Sequence, residues 1–212
     1  MSKKAAKAKP QIFYDRIADV QNIAMKLNGY RSSVAKYLSS LKLDINSDSL
    51  ILDAGCGTGL VTLAFQEAGY RPKRIEAVDL SFNSLKVARD EFTQVRRLAN
   101  RTDTVQSNIL QLPYADETFD AAMICGVLEY TPLDEGLHEA ARVLKKNAPL
   151  VLLPVKPSVV GSVLELLYNF KIHPLESVRE AAGRHFNIIG NHDFPVTQPI
   201  SWSKTIFLLE KK

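Results

Sequence analysis

The sequence predicts an α/β fold: a mostly parallel sheet with helices on both faces. Three observations carry that expectation. The stretch Leu50–Leu60, LILDAGCGTGL, reads as a buried strand, a turn with glycines at 55, 57 and 59, and the start of a helix. From there to residue 153, short apolar runs alternate with helical stretches, the pattern of βαβ units. Acidic or small polar residues close several of the runs. Ligands in such sheets bind beyond the carboxyl ends of the strands. Asp53, Asp79, Asn108 and residues 125–128 all fall at such ends and are expected to converge on one site.

Taken in order, the chain opens with MSKKAAKAKP, expected to be a disordered basic tail over residues 1–10. Ile12, Phe13, Ile17, Val20, Ile23, Ala24 and Leu27 recur at helical spacing, and Asn28-Gly29 stops that helix. Val34, Tyr37, Leu38 and Leu41 mark a second helix, so residues 11–45 read as an N-terminal helical cap. After the first strand, Leu60, Leu63, Ala64 and Ala68 keep the helical period until Gly69 and Pro72 end it. RIEAVDL at 74–80 is the second strand. Ser81 is a good N-cap for a helix over roughly residues 82–98. Residues 104–106 form a short strand, 107–118 a loop, and FDAAMIC at 119–125 a fourth buried strand. A helix starts at Pro132 and ends around Lys145-Lys146, and a fifth strand covers 150–153. Residues 157–170 carry one charge, Glu165, among many apolar residues, and with a short helix over 173–183 they read as an apolar helical insertion, 156–184. Residues 186–189 and 205–209 are the last two strands. Residues 11–212 read as a single domain.

Composition excludes several classes. Net charge is +4, and Lys3, Lys4, Lys7 and Lys9 account for all of it; setting them aside leaves 23 basic against 23 acidic residues. A nucleic-acid binder carries its basic stripe on the fold itself, so no specific nucleic-acid partner is expected. No apolar run approaches the roughly 20 residues of a membrane span, and no apolar segment follows the basic start as in a secretory signal. Cys56 and Cys125 belong to no CxxC and make no disulfide framework. Both read as reduced thiols packed around the ligand site of a cytoplasmic protein.

The ligand is constrained by spacing. A dinucleotide fingerprint is GxGxxG; here the order is GxGxG, with Leu60 where the third glycine would stand. Asp53, just ahead of the turn, is a poor neighbour for a diphosphate but a good one for an ammonium. Asp79, 20 residues beyond Gly59, can accept both hydroxyls of a ribose. An ammonium, an unsubstituted ribose and no phosphate together describe S-adenosyl-L-methionine (SAM).

At these residues the sequence resembles the class I SAM-dependent methyltransferases, in particular the type 11 group that acts mostly on small molecules. LDAGCGTG at 52–59 is similar to that family's first motif and AVDLS at 77–81 to its second. LPYADETFDAAMICGVLEY at 112–130, EAARVLKKNAPLVLL at 139–153 and FYDRIAD at 13–19 resemble further family stretches. The resemblance implies a Rossmann-like, doubly wound, seven-stranded sheet with an antiparallel last strand. It implies that Ala54, Gly55, Cys56, Gly57 and Gly59 pass under the methionine part of SAM and that Asp53 orients that region. Asp79 would hold the ribose with Leu80 against the adenine, Asn108 and Ile109 would meet the adenine, Cys125 would line the sulfonium side, and Tyr14 would close over the methionine end. The family often has an acidic residue at the position of Asn108. No metal site is expected.

The reaction implied is methyl transfer to an O, N or C nucleophile of a small molecule. No catalytic base stands out among His138, His173, His185, His192, Glu129 and Tyr130. The end of the fourth strand reads CGVLEY rather than an NPPY-like motif, against amino-methylation of DNA bases or protein glutamine. The apolar stretch 157–170 reads as a lid over a hydrophobic acceptor, as a buried helix, or as a homodimer interface. Competing readings are a SAM-binding protein without transferase activity and an NAD(P) oxidoreductase; Leu60 and Asp53 disfavour the latter.

Overall fold

Strand order in the single sheet is β3-β2-β1-β4-β5-β7-β6. The strands are β1 Leu50–Ala54, β2 Arg74–Asp79, β3 Thr102–Gln106, β4 Ala121–Cys125, β5 Pro149–Leu153, β6 Phe186–His192 and β7 Ile206–Lys211. Pairings among β1 to β5 are parallel, and β7 runs antiparallel to both β5 and β6. The helices are α1 Tyr30–Leu41, α2 Leu60–Glu67, α3 Phe82–Gln94, α4 Leu133–Val143, α5 Val159–Tyr168 and α6 Leu175–His185. These coordinates are a computed structural model, which describes residues 29–95, 98 and 101–212. The expected basic tail, the helix over residues 12–27 and Tyr14 lie outside the described residues.

Two apolar clusters explain the unbroken hydrophobic runs. On β1, Ile51 packs on one face with Val34 and Leu38 of α1, Phe65 of α2 and Phe92 of α3. Leu52 and Ala54 pack on the other face with Leu137 of α4 and Val178 and Ala182 of α6. On β5, Val151 and Leu153 join the first cluster and Leu150 and Leu152 the second. Successive strand residues point to opposite faces, so a strand covered on both sides must be apolar at every position. Strand order reverses between β1 and β4, both of which have a parallel neighbour on each side. That reversal is where a ligand crevice is expected.

The elements differ from the sequence expectation where packing is one-sided. β3 pairs only with β2 and begins two residues earlier than its apolar signal, because its flank is half-exposed. β6 runs past Ile189 to His192, with an irregularity in the pairing between Ile188 and Gly190. Helix α3 ends at Gln94, where Val95 turns extended.

The largest difference is α5. Of its residues only Gly161 is buried, while Val159 is 84% exposed, Leu166 83% and Leu167 61%. The buried-helix reading is therefore overturned: the apolar side faces outward. The helix touches the fold at Gly161, where a Cβ would stand 2.5 Å from the Lys156 carbonyl oxygen.

Candidate functional site

A cavity of about 340 Å³ opens at the carboxyl ends of β1, β2, β3 and β4, within the usual range of small-molecule sites. It begins with the turn after β1. The Gly55 and Cys56 N–H groups donate to the Val78 carbonyl at 2.8 and 2.9 Å, and Gly59 N–H donates to Cys56 at 2.9 Å. The turn is thus tied to the end of β2. All three glycines have positive φ, 75°, 54° and 86°, which an L side chain rarely tolerates.

The three glycines are not equivalent. A Cβ at Gly55 would lie 2.6 Å from Val127, and one at Gly59 would lie 2.5 Å from the Phe92 ring. Only at Gly57 would a Cβ meet nothing within 4 Å. Gly57 therefore leaves bare backbone facing open space at the cavity, whereas Gly55 admits the opposite wall and Gly59 admits α3.

Asp79 closes β2 and lines the cavity. One carboxylate oxygen accepts from Gly57 N–H and the other from Ser81 N–H, both at 2.8 Å. Its position is therefore fixed from the glycine turn on one side and the entry to α3 on the other, where Ser81 Oγ accepts from Ser84 N–H.

Asp53 is placed differently from the expectation. It is fully buried, does not line the cavity, and its Oδ2 accepts from the Thr62 N–H at 3.1 Å and the Thr62 hydroxyl at 2.6 Å. The N-cap of α2 is Gly59, which has no side chain to offer. The carboxylate of Asp53 supplies that missing acceptor. Burial, against the two Thr62 bonds, pushes its carboxyl up to about 7. Its Oδ1 has no partner among the described residues, an orphaned acceptor that suits a cationic group or a bridging water.

On the far wall, Asn108, Ile109 and Leu110 line the cavity from the loop after β3. Asn108 Oδ1 accepts from Leu110 N–H at 3.0 Å, which folds the loop on itself and leaves the amide NH2 and a second lone pair of the oxygen for a ligand. The base of this loop is anchored by Arg142, which bonds the Leu112 and Tyr114 carbonyls and Glu139, while Glu139 accepts from Leu112 N–H at 2.7 Å. The Arg142 guanidinium holds the Glu139 carboxyl below its usual range.

Of the expected residues, Gly55, Cys56, Gly57, Asp79, Leu80, Asn108, Ile109 and Cys125 line the cavity. Asp53, Ala54 and Gly59 stand behind it, and Tyr14 lies outside the described residues. Burial pushes both the Cys56 and Cys125 thiols up, so neither is a thiolate nucleophile at neutral pH.

Sequence reasoning missed Tyr30. This first residue of α1 reads as an ordinary helix start, yet it lines the cavity and hydrogen-bonds Ser203. Burial raises its hydroxyl above the usual phenol range. The only signal is its place after the Asn28-Gly29 stop, where the chain must turn. Among the described residues no cluster of three or more His, Cys, Asp or Glu could hold a metal, and no helix is long and apolar enough to cross a membrane.

Comparisons fit this geometry. A family model described as a methyltransferase domain matches residues 52–152. An uncharacterized protein of Methanocaldococcus jannaschii is 30% identical over 174 residues, 78% of this chain and 70% of that protein. A demethylmenaquinone methyltransferase of Shouchella clausii is 31% identical over 161 residues, 74% of this chain and 66% of its own length. Geranyl diphosphate C-methyltransferase from Streptomyces coelicolor A3(2), solved with S-adenosyl-L-homocysteine, superposes with a TM-score of 0.72 at 15% identity. That match covers 85% of this chain and 76% of the enzyme, and at this identity it speaks for the fold.

Proposed function

The chain belongs to the class I SAM-dependent methyltransferases, and from that premise we propose that it moves a methyl group from SAM to an O, N or C atom of a small, apolar molecule. The observation that carries this reading is the cavity at the β1/β4 reversal, where the open backbone of Gly57 meets the pinned carboxylate of Asp79. The residues present fit the cofactor. Asp79 suits a ribose, Leu80, Asn108 and Ile109 an adenine, and the orphaned Oδ1 of Asp53 the ammonium end, directly or through water. When bound, SAM supplies a methyl on a positively charged sulfur, already activated for displacement.

This chain's own part is positioning. Gly55 lets Val127 close to the turn, and Cys125 and Val127 give the inner wall an apolar lining against which the reactants are held. Free, unbridged thiols at Cys56 and Cys125 suit a reducing compartment, the cytoplasm. Among the described residues, 156–184 act as an insertion whose exposed apolar helix α5 serves as a lid over the acceptor or pairs two copies.

Calorimetric titration tests the cofactor: SAM binds and NADH does not. Replacing Asp79 by Ala weakens SAM binding by about 1–3 kcal/mol, the cost of leaving buried polar partners unmet; unchanged affinity would refute the ribose assignment. Methyl-labelled SAM incubated with a metabolite extract identifies the acceptor, and SAM binding with no labelled product would instead favour a sensor.

A further inference from the structure

Behind the inner wall of the cavity lies a set of polar side chains that cofactor binding does not use. Lys204 is 6% exposed and Glu129 5%. The Lys204 ammonium donates to the Leu153 carbonyl at 3.3 Å and has no salt-bridge partner among the described residues. It sits directly against cavity-lining Gly126, where a Cβ would be 2.6 Å from Nζ. Gly126 has a φ of +66°, so both its backbone and the ammonium beside it exclude a side chain there. Glu129 Oε1 accepts from the Val155 N–H, and Oε2 has no partner among the described residues.

These groups surround Tyr30 and Cys125, which line the cavity. Glu129 raises the pKa of both, Lys204 lowers that of Cys125, and Tyr30 is hydrogen-bonded to Ser203. From the neighbouring elements, Asp53 also acts on Cys125, and His173 Nε2 lies 3.3 Å from the Leu128 carbonyl oxygen. An ammonium buried with one backbone acceptor costs several kcal/mol unless an anion compensates it. The cation also stands on the Cys125 side of the cavity, where a second positive charge, on sulfur, is expected. An anion between the two would relieve both.

We propose that Lys204, acting through space across Gly126 with cavity-lining Tyr30 as the hydrogen-bond donor, is a specificity-determining residue that selects acceptors carrying an acidic oxygen, of the phenol or enol class, and favours that oxygen's ionised form. The inference rests on the methyltransferase reading and adds to it the polar end of the acceptor. The acceptor's proton leaves to water on binding. Glu129 opposes the bound anion and limits how tightly it is kept.

The test uses 4-nitrophenol, whose ionised form absorbs in the visible, bound to the full chain with S-adenosyl-L-homocysteine. The midpoint of dye ionisation is expected to fall by about one unit on binding, the effect of a nearby opposite charge. Lys204→Met abolishes that fall, Lys204→Arg retains it, and Glu129→Gln deepens it. Glu129→Gln keeps an oxygen for the Val155 N–H and carries the test if Lys204→Met does not fold. No binding of the dye, no fall in the wild-type chain, or an equal fall in Lys204→Met or Glu129→Gln overturns the proposal. Failure of S-adenosyl-L-homocysteine to bind at all would instead count against the methyltransferase reading.

Discussion

At the scale of single residues, chemistry that looks uniform in the sequence divides by surroundings. Gly55, Gly57 and Gly59 share positive φ, yet only Gly57 faces open space. Gly59→Ala forces a left-handed side chain, about 1–2 kcal/mol, and drives it into the Phe92 ring, about 1–3 kcal/mol more. Denaturant unfolding should record a loss of about 2–4 kcal/mol, whereas Gly57→Ala should show only the backbone part and lose SAM affinity instead. Asp53 makes a second contrast. Its pKa in the folded chain, about 7, stands above the ordinary aspartate value, so the folded state holds this proton more tightly than the unfolded chain. The resulting stability is complete below the ordinary aspartate range and is lost as pH rises toward and through 7. A cationic ligand end near Oδ1 reverses that preference. SAM binding near pH 7 should therefore release protons, read by calorimetry in buffers of different ionisation enthalpy, and Asp53→Asn should remove the release.

At the scale of elements, the loop after β3 is held by a helix that never touches the cavity. Arg142 and Glu139 on α4 bond the Leu112 and Tyr114 backbone and so fix the base of the segment carrying Asn108 and Ile109. Arg142→Ala should cost about 2 kcal/mol in thermal or chemical unfolding, since charge-assisted bonds to partly buried partners are lost, and it should weaken adenosine binding more than methionine binding. No spacing in the sequence announces this tie, because its partners are 27 to 30 residues apart. The strands, by contrast, were legible, since burial on both faces favours apolar runs such as 50–52 and 149–153. The cavity was legible where a strand end lines it, as at Asp79, and illegible where a distant element supplies a lining side chain, as Tyr30 does.

At the scale of the molecule, the outward apolar side of α5 separates stability from function. Leu166 and Leu167 are mostly exposed, so Leu166→Ser with Leu167→Ser should shift stability by no more than about 0.5 kcal/mol per site; core leucines would cost several times that. If α5 serves acceptor or partner, the same double variant should lose turnover or self-association while its melting temperature holds. The order of the sheet has a different consequence. β7 comes later in the sequence than the other described strands, yet it fills the slot between β5 and β6 and pairs with both. Until it emerges from the ribosome, β5 presents an open edge beside an otherwise formed parallel half-sheet, and β6 has no neighbour. Between the synthesis of β5 and that of β7 the growing chain thus carries an unpaired, apolar template, the kind of edge that recruits other chains. That exposure ends when residues 206–211 insert as a single strand and form two ladders at once, one with β5 and one with β6.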